Sequence, residues 1–212
     1  NIQTLRNTPG NLIQPVSESS FDAWIKYYRQ NENSKNSTVS YYTKGNMLAA
    51  IINLDIINNT GARNSLDTLM NHLYHKHYKV KQRGLTDGEL QHYFELVGEK
   101  DYQDFFDKYI HGAGEVPYEF YYRLAGLSLS RVDGKKSPKG YLGTIISTAS
   151  GKLIITQVER DSPAWSTGLS VNDELTGIDD QPADKILEYL ADLDPGTVVK
   201  IKLLRSGLPM TI

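Results

Sequence analysis

Cysteine is absent from the 212 residues of this chain, which excludes disulfide staples, thiolate metal sites and a cysteine nucleophile. That absence leaves the cellular compartment undecided. No apolar run reaches the roughly eighteen residues a membrane-crossing helix needs. Nor is there an excess of one charge: 23 basic residues stand against 25 acidic ones. The basic surface expected of a nucleic-acid or anionic-membrane partner is therefore missing. The N-terminus has neither an initiator Met nor a signal-peptide pattern, and it starts in what reads as a loop. The expectation is that Asn1 opens a piece of a longer protein, and Asn-rich loops lean toward a bacterial periplasmic or exported one. What is abundant is tyrosine, fourteen in all, several in pairs such as Tyr27-Tyr28, Tyr41-Tyr42 and Tyr121-Tyr122. Such rings either line clefts or pack with the hydroxyl at the rim.

Hydropathy divides the chain in two. Residues 1–16 are polar and broken by Pro9-Gly10 and Pro15. Ser19-x-x-Asp22 then predicts a capped helix with Phe21, Trp24, Ile25 and Tyr28 on one stripe. After a polar loop over 31–37, residues 42–57 are apolar on every face, as in a helix buried mid-domain. Ser65 caps a helix carrying Leu66, Leu69, Met70, Leu73 and Tyr74, and Thr86-x-x-Glu89 is a capping box for the next. A short helix with Tyr102, Phe105, Phe106 and Tyr109 follows. After Gly126 the pattern changes to strand-like runs at 141–147, 153–158, 174–178 and 197–204, with a helix over 184–193. The stretch 130–139, rich in Lys, Gly, Ser and Pro, reads as a linker.

In the second part, Gly140-Tyr141-Leu142-Gly143-Thr144 is followed by Asp161-Ser162-Pro163-Ala164 and Gly168-Leu169. Next come Asn172-Asp173-Glu174-Leu175 and Gly177-Ile178-Asp179-Asp180, then Pro195-Gly196-Thr197 and Arg205-Ser206-Gly207. This series resembles the PDZ domain, in the permuted strand order of bacterial proteases. A tight glycine-bearing turn can aim successive N–H groups at one point, a nest for a peptide or protein C-terminus. The peptide then adds as a strand beside 142–146. The resemblance implies a carboxylate loop of Tyr141, Leu142, Gly143 and Thr144, with Leu142, Ile145, Ile186, Leu187 and Leu190 as pocket walls. The alternative is an ordinary strand start with the groove filled by the chain itself. Asn172 and Asp180 stand where the family usually has glycine; both residue types tolerate left-handed turns.

In the first part, Glu18-Ser19-Ser20-Phe21-Asp22-Ala23-Trp24, Ser40-Tyr41-Tyr42-Thr43-Lys44-Gly45, Gly84-Leu85-Thr86 and Phe105-Phe106-Asp107-Lys108-Tyr109-Ile110-His111-Gly112 occur in order. They resemble the C-terminal part of the glycyl aminopeptidase family, PDZ-bearing zinc metallopeptidases with a thermolysin-like catalytic domain. The resemblance implies an α+β chain: residues 1–126 an all-helical C-terminal half of that catalytic domain, residues 127–212 a small PDZ β-barrel or sandwich. It also implies a catalytic role for Tyr42, in a Y-x-K-G element whose phenol donates a hydrogen bond to the oxyanion. The alternative is that Tyr42 merely starts the buried helix.

A zinc peptidase of this class needs H-E-x-x-H and a further Glu. The histidines are His72, His75, His77, His92 and His111, and none precedes a Glu. The run His72-x-x-His75-x-His77 is expected to be solvated helix surface. Hence no metal ligand and no cofactor is assigned to this chain. Zinc is expected in the full-length protein, held by the missing N-terminal part of the catalytic domain, and this chain alone is expected to be inactive. The rival reading is a non-catalytic PDZ scaffold protein. The apolar segment 47–57 raises a homo-oligomer as a further expectation.

Overall fold

A computed structural model describes residues 1–86, 88–130 and 140–212 of an α+β chain. It divides into two compact units, Asn1–Arg29 with Ser37–Ser130, and Gln30–Asn36 with Arg131–Ile212. Each has its own apolar cluster. Beyond Ser130, the expected linker lies outside the described residues.

The described part of the first unit is helical, apart from turns. Its elements are α1 (Ile2–Arg6), a 3-10 turn (Pro9–Leu12) and α2 (Val16–Phe21). The chain then passes through α3 (Ser34–Ser37), whose first three residues belong to the second unit, into α4 (Tyr41–Asn59). α5 (Leu66–His72) runs on through a π-turn (Leu73–Tyr78) into α6 (Lys79–Lys81). α7 (Glu89–Gly98), α8 (Gln103–Phe105), a second π-turn (Phe106–Ile110) and α9 (Tyr118–Leu124) complete it.

α4 is the axis of this core. The Ser40 hydroxyl caps it by accepting from Thr43 N. Met47, Leu48, Ile51, Ile52 and Ile56 are buried in one cluster with Leu69, Val97, Phe105, Phe106 and Tyr118. The helix is not buried on every face, as its composition predicts: Asn46 and Ala49 are exposed. The expected helix at 19–28 is also revised. α2 starts after Pro15, and Val16, Ser19 and Ala23 are what this segment buries. Ser19 lies inside the helix and donates its hydroxyl to Val39 O instead of capping. The predicted stripe is left in solvent, Phe21 90% and Trp24 78% exposed, with Ile25 and Tyr28 exposed too. Ser65 and Thr68 form a full capping box on α5. Leu69 is buried, but Met70 and Tyr74 are exposed. Thr86 N donates to Glu89 Oε2 at 2.7 Å, half of the expected box.

In the second unit, β1 (Thr144–Ala149) and β2 (Lys152–Val158) form a hairpin, followed by α10 (Pro163–Thr167). β3 (Glu174–Ile178) and β4 (Gln181–Pro182) lead through a 3-10 turn into α11 (Ile186–Asp192), then β5 (Ile201–Arg205) and β6 (Leu208–Thr211). The sheet is antiparallel in the order β1-β2-β3-β5-β6, with β4 paired to β3. β6 contains Pro209 and takes an end of the sheet, where a missing ladder N–H is tolerated. Asn172 is left-handed (φ 72°), as its position predicts; in the next turn Asp179 (φ 49°), not Asp180, takes that conformation. Asp173, buried, pairs bidentately with Arg205 at 2.8 Å and accepts from Ser170 N.

Candidate peptide-binding groove and tyrosine cluster

The segment before β1 is fastened from behind. Gly140 is packed so closely on the Leu190 carbonyl of α11 that a Cβ there would overlap it. Ala164 N donates to Leu142 O at 2.9 Å, and Glu159 N donates to Gly143 O at 2.7 Å. Gly143 adopts φ +80°, and a Cβ on it would collide with the Ser162 side chain, so glycine is required twice over. Among the described residues no peptide is cis, and in a trans peptide the C=O and N–H point opposite ways. With the carbonyls of Leu142 and Gly143 turned into the fold, the amides of Gly143 and Thr144 turn outward. Two adjacent outward amides can cradle a carboxylate.

β1 is an end strand of the sheet, so its outer edge can accept another strand. Beside it, Leu142 and Leu190 are half-buried and Ile186 is buried, all within one apolar cluster. Ile145 and Leu187 are exposed, as is Tyr141. Ile146 joins the cluster, one residue after the position singled out from sequence. The β1–β2 register shifts between Ile145 and Ile146, and that irregularity hides the inward position from simple alternation.

Tyr42 sits exposed at the start of α4 within a cluster of phenols. Its ring lies 4.1 Å from that of Tyr41, and its hydroxyl is 3.1 Å from the Tyr28 hydroxyl. Tyr28 also reaches the Tyr41 hydroxyl at 3.3 Å, and Trp24 tilts onto Tyr28 at 5.0 Å. Hydrogen bonding from Tyr28, and then from Tyr41, pulls the Tyr42 phenol below its ordinary value. Tyr41 is pushed up, first by its bond to Tyr28. A phenol acidified by its neighbours is the better hydrogen-bond donor. Two residues on, Lys44 is fully buried, donates to Asn11 O at 2.8 Å and Gln14 O at 3.4 Å, and is lowered by burial to about 8. Gly45 needs no glycine for any neighbour here: a Cβ would meet nothing within 4 Å.

Among the described residues, no group of three His, Asp or Glu side chains could hold a metal ion. The histidine run also departs from expectation. His77 is buried, with Nε2 3.1 Å from Gly84 O and Nδ1 3.2 Å from Tyr93 Oη. A carbonyl only accepts, so Nε2 carries the proton and Nδ1 accepts from the phenol. The π-turn at Leu73–Tyr78 changes the helical phase and swings His77 inward, while His75 stays exposed.

Comparisons with known proteins agree with this division. Residues 1–48 match the M61 glycyl aminopeptidase family model, and residues 140–212 match the PDZ domain model. The serine endoprotease DegS of Escherichia coli K12, and that of the O157:H7 strain, are 30% identical over 63 residues. That match covers 28% of this chain and 18% of theirs. A solved aminopeptidase N family protein from Idiomarina loihiensis superposes with a TM-score of 0.80 at 25% identity, covering 99% of this chain and 38% of that one. The chain therefore spans well under half the length of these relatives. Residues 1–48 carry the signature of the M61 glycyl aminopeptidases, and residues 140–212 are a PDZ domain.

Proposed function

We propose that this chain is the C-terminal portion of a zinc-dependent, glycyl-aminopeptidase-like metallopeptidase, with a catalytic part over 1–126 and a PDZ part over 127–212. The observation that carries the reading is Tyr42: within the stretch matching the aminopeptidase model, its phenol stands exposed at the start of α4, hydrogen-bonded to Tyr28 at 3.1 Å. The Phe21, Trp24 and Ile25 side chains stand exposed nearby in sequence, as expected of a surface other polypeptide covers. Among the described residues no donor group fits zinc, and on this reading its ligands come from polypeptide outside them. What this chain adds is a hydrogen-bond donor for the oxyanion of a carbonyl under attack; loss of such a donor costs roughly 10²–10³ in kcat. In the full-length protein, Tyr42→Phe lowers kcat by that factor and leaves KM nearly unchanged; an unaltered kcat refutes the role. The PDZ part takes a peptide C-terminus through the outward amides of Gly143 and Thr144, with Leu142, Ile186 and Leu190 beneath the last side chain.

A second reading, a non-catalytic PDZ scaffold, is supported by the PDZ match over residues 140–212. The full reading frame separates the two. H-E-x-x-H followed by another Glu supports the peptidase, and its absence supports the scaffold.

A further inference from the structure

The second unit contains a piece of chain from far away in sequence, Gln30–Asn36. We propose that Asn36 is a positioning residue for the carboxylate nest, acting through Glu159 on Gly143; this rests on the PDZ groove taking a C-terminal carboxylate. Asn36 is 2% exposed. Its Nδ2 donates to Val158 O at 2.7 Å and its Oδ1 accepts from Arg160 N at 2.8 Å. One side-chain amide thus satisfies the backbone on both sides of Glu159, as a neighbouring strand would. Glu159 N is the donor that holds Gly143 O, and Glu159 O accepts from Ser162 Oγ at 2.6 Å. Ser162 is in turn the side chain against which Gly143 is packed. The orientation of residue 159 therefore sets the plane of the 143–144 peptide, and with it the direction of the Thr144 amide.

The clamp is itself braced. Asn36 Nδ2 also donates to Asn33 Oδ1 at 3.0 Å, and Asn31 Oδ1 accepts from Asn33 N at 3.0 Å. Asn31 N donates to Ser34 Oγ at 2.8 Å. Lys35 pairs with the Glu159 carboxylate at 3.4 Å, both partly exposed, a contact of the kind that contributes little. The two amide bonds of Asn36, one buried and one partly buried, therefore carry the positioning.

The test uses the full 212-residue chain and a fluorescein-labelled hexapeptide ending in Ala-Val-Leu, as free acid and as C-terminal amide. The wild type binds the acid more tightly than the amide. Asn36→Ala weakens acid binding by about tenfold, since two backbone partners flanking Glu159 lose their bonds, and the acid-to-amide preference collapses toward one. Merely lower stability would weaken both peptides alike. Lys35→Ala changes binding by less than about twofold. Amide exchange gives a ligand-free readout: Glu159 and Arg160 exchange faster in Asn36→Ala. A retained acid preference, or unchanged exchange at Glu159, overturns the proposal. If the wild type shows no acid preference, the groove reading fails, and exchange at Glu159 alone decides for or against the clamp. Should Asn36→Ala not fold, Asn36→Asp, which still accepts from Arg160 N but cannot donate to Val158 O, is held to the same criteria.

Discussion

The two units differ in what they do with aromatic and apolar side chains that their cores do not use. In the second, Ile145 and Leu187 border a groove, and Val198 and Leu208 are separated exposures on a loop and at the sheet's end. In the first, Trp24, Tyr27, Tyr28, Tyr41 and Tyr42 are linked ring to ring, with Phe21 and Ile25 exposed on the same short segment. A self-contained domain rarely keeps such a set in water. The contrast is the one the proposed reading requires, with a linked aromatic set only in the helical unit, although Tyr141 and Trp165 are also exposed in the PDZ unit.

Breaking one core should leave the other standing. Ile51→Ala and Ile155→Ala each remove a fully buried side chain and should cost about 3–4 kcal/mol. The chain has two tryptophans, Trp24 in one unit and Trp165 in the other. Ile51→Ala should shift the unfolding followed at Trp24, and Ile155→Ala the unfolding followed at Trp165. Equal shifts at both would abolish the distinction. Asp173→Ala should cost the second unit about 3 kcal/mol by stranding Arg205. Burial pushes the Asp173 carboxyl up, but Arg205 outweighs it and holds the group below its ordinary value. That stabilisation is present above the unfolded pKa of about 3.9 and lost as pH falls through the folded one. Acid unfolding of Asp173→Ala should lack this component.

In the first unit the slope has the same sign but lies in an alkaline window. Lys44, lowered to about 8, binds its proton less readily folded than unfolded. Its contribution to stability should therefore rise as pH climbs from about 8 toward the unfolded value near 10.4. Nitrogen NMR of Lys44 Nζ should show titration near 8; titration above 10 would contradict the buried placement. The smallest effect belongs to the exposed set. Phe21→Ser with Trp24→Ser should change stability by less than about 0.5 kcal/mol per site. Sedimentation should show less self-association in that variant, if copies of the chain cover each other's exposed rings in the absence of the natural cover.

The PDZ unit was legible because its signals are local: a strand, a Gly or Asp turn, the next strand. β6 was not, since Pro209 speaks against a strand until the end of the sheet excuses it. In the helical unit, Ser65 and the Thr86-x-x-Glu89 pattern announced helix starts, and α5 and α7 begin there. Phe21, Trp24, Ile25 and Tyr28 had helical spacing and still face solvent, because α2 ends at Phe21 and none of the described residues buries that stripe. His77 was misread because a π-turn cannot be seen in hydropathy. Asn36 could not be found at all: its partners lie more than 120 residues away, at Val158 and Arg160.

The central claim is a division of labour, in which this chain brings a phenol and a docking groove while other polypeptide brings the metal. It is tested most directly by incubating the purified chain with equimolar zinc and a glycyl p-nitroanilide, with and without a chelator. The account predicts no hydrolysis above the blank in either condition. Turnover that the chelator abolishes and zinc restores would contradict it.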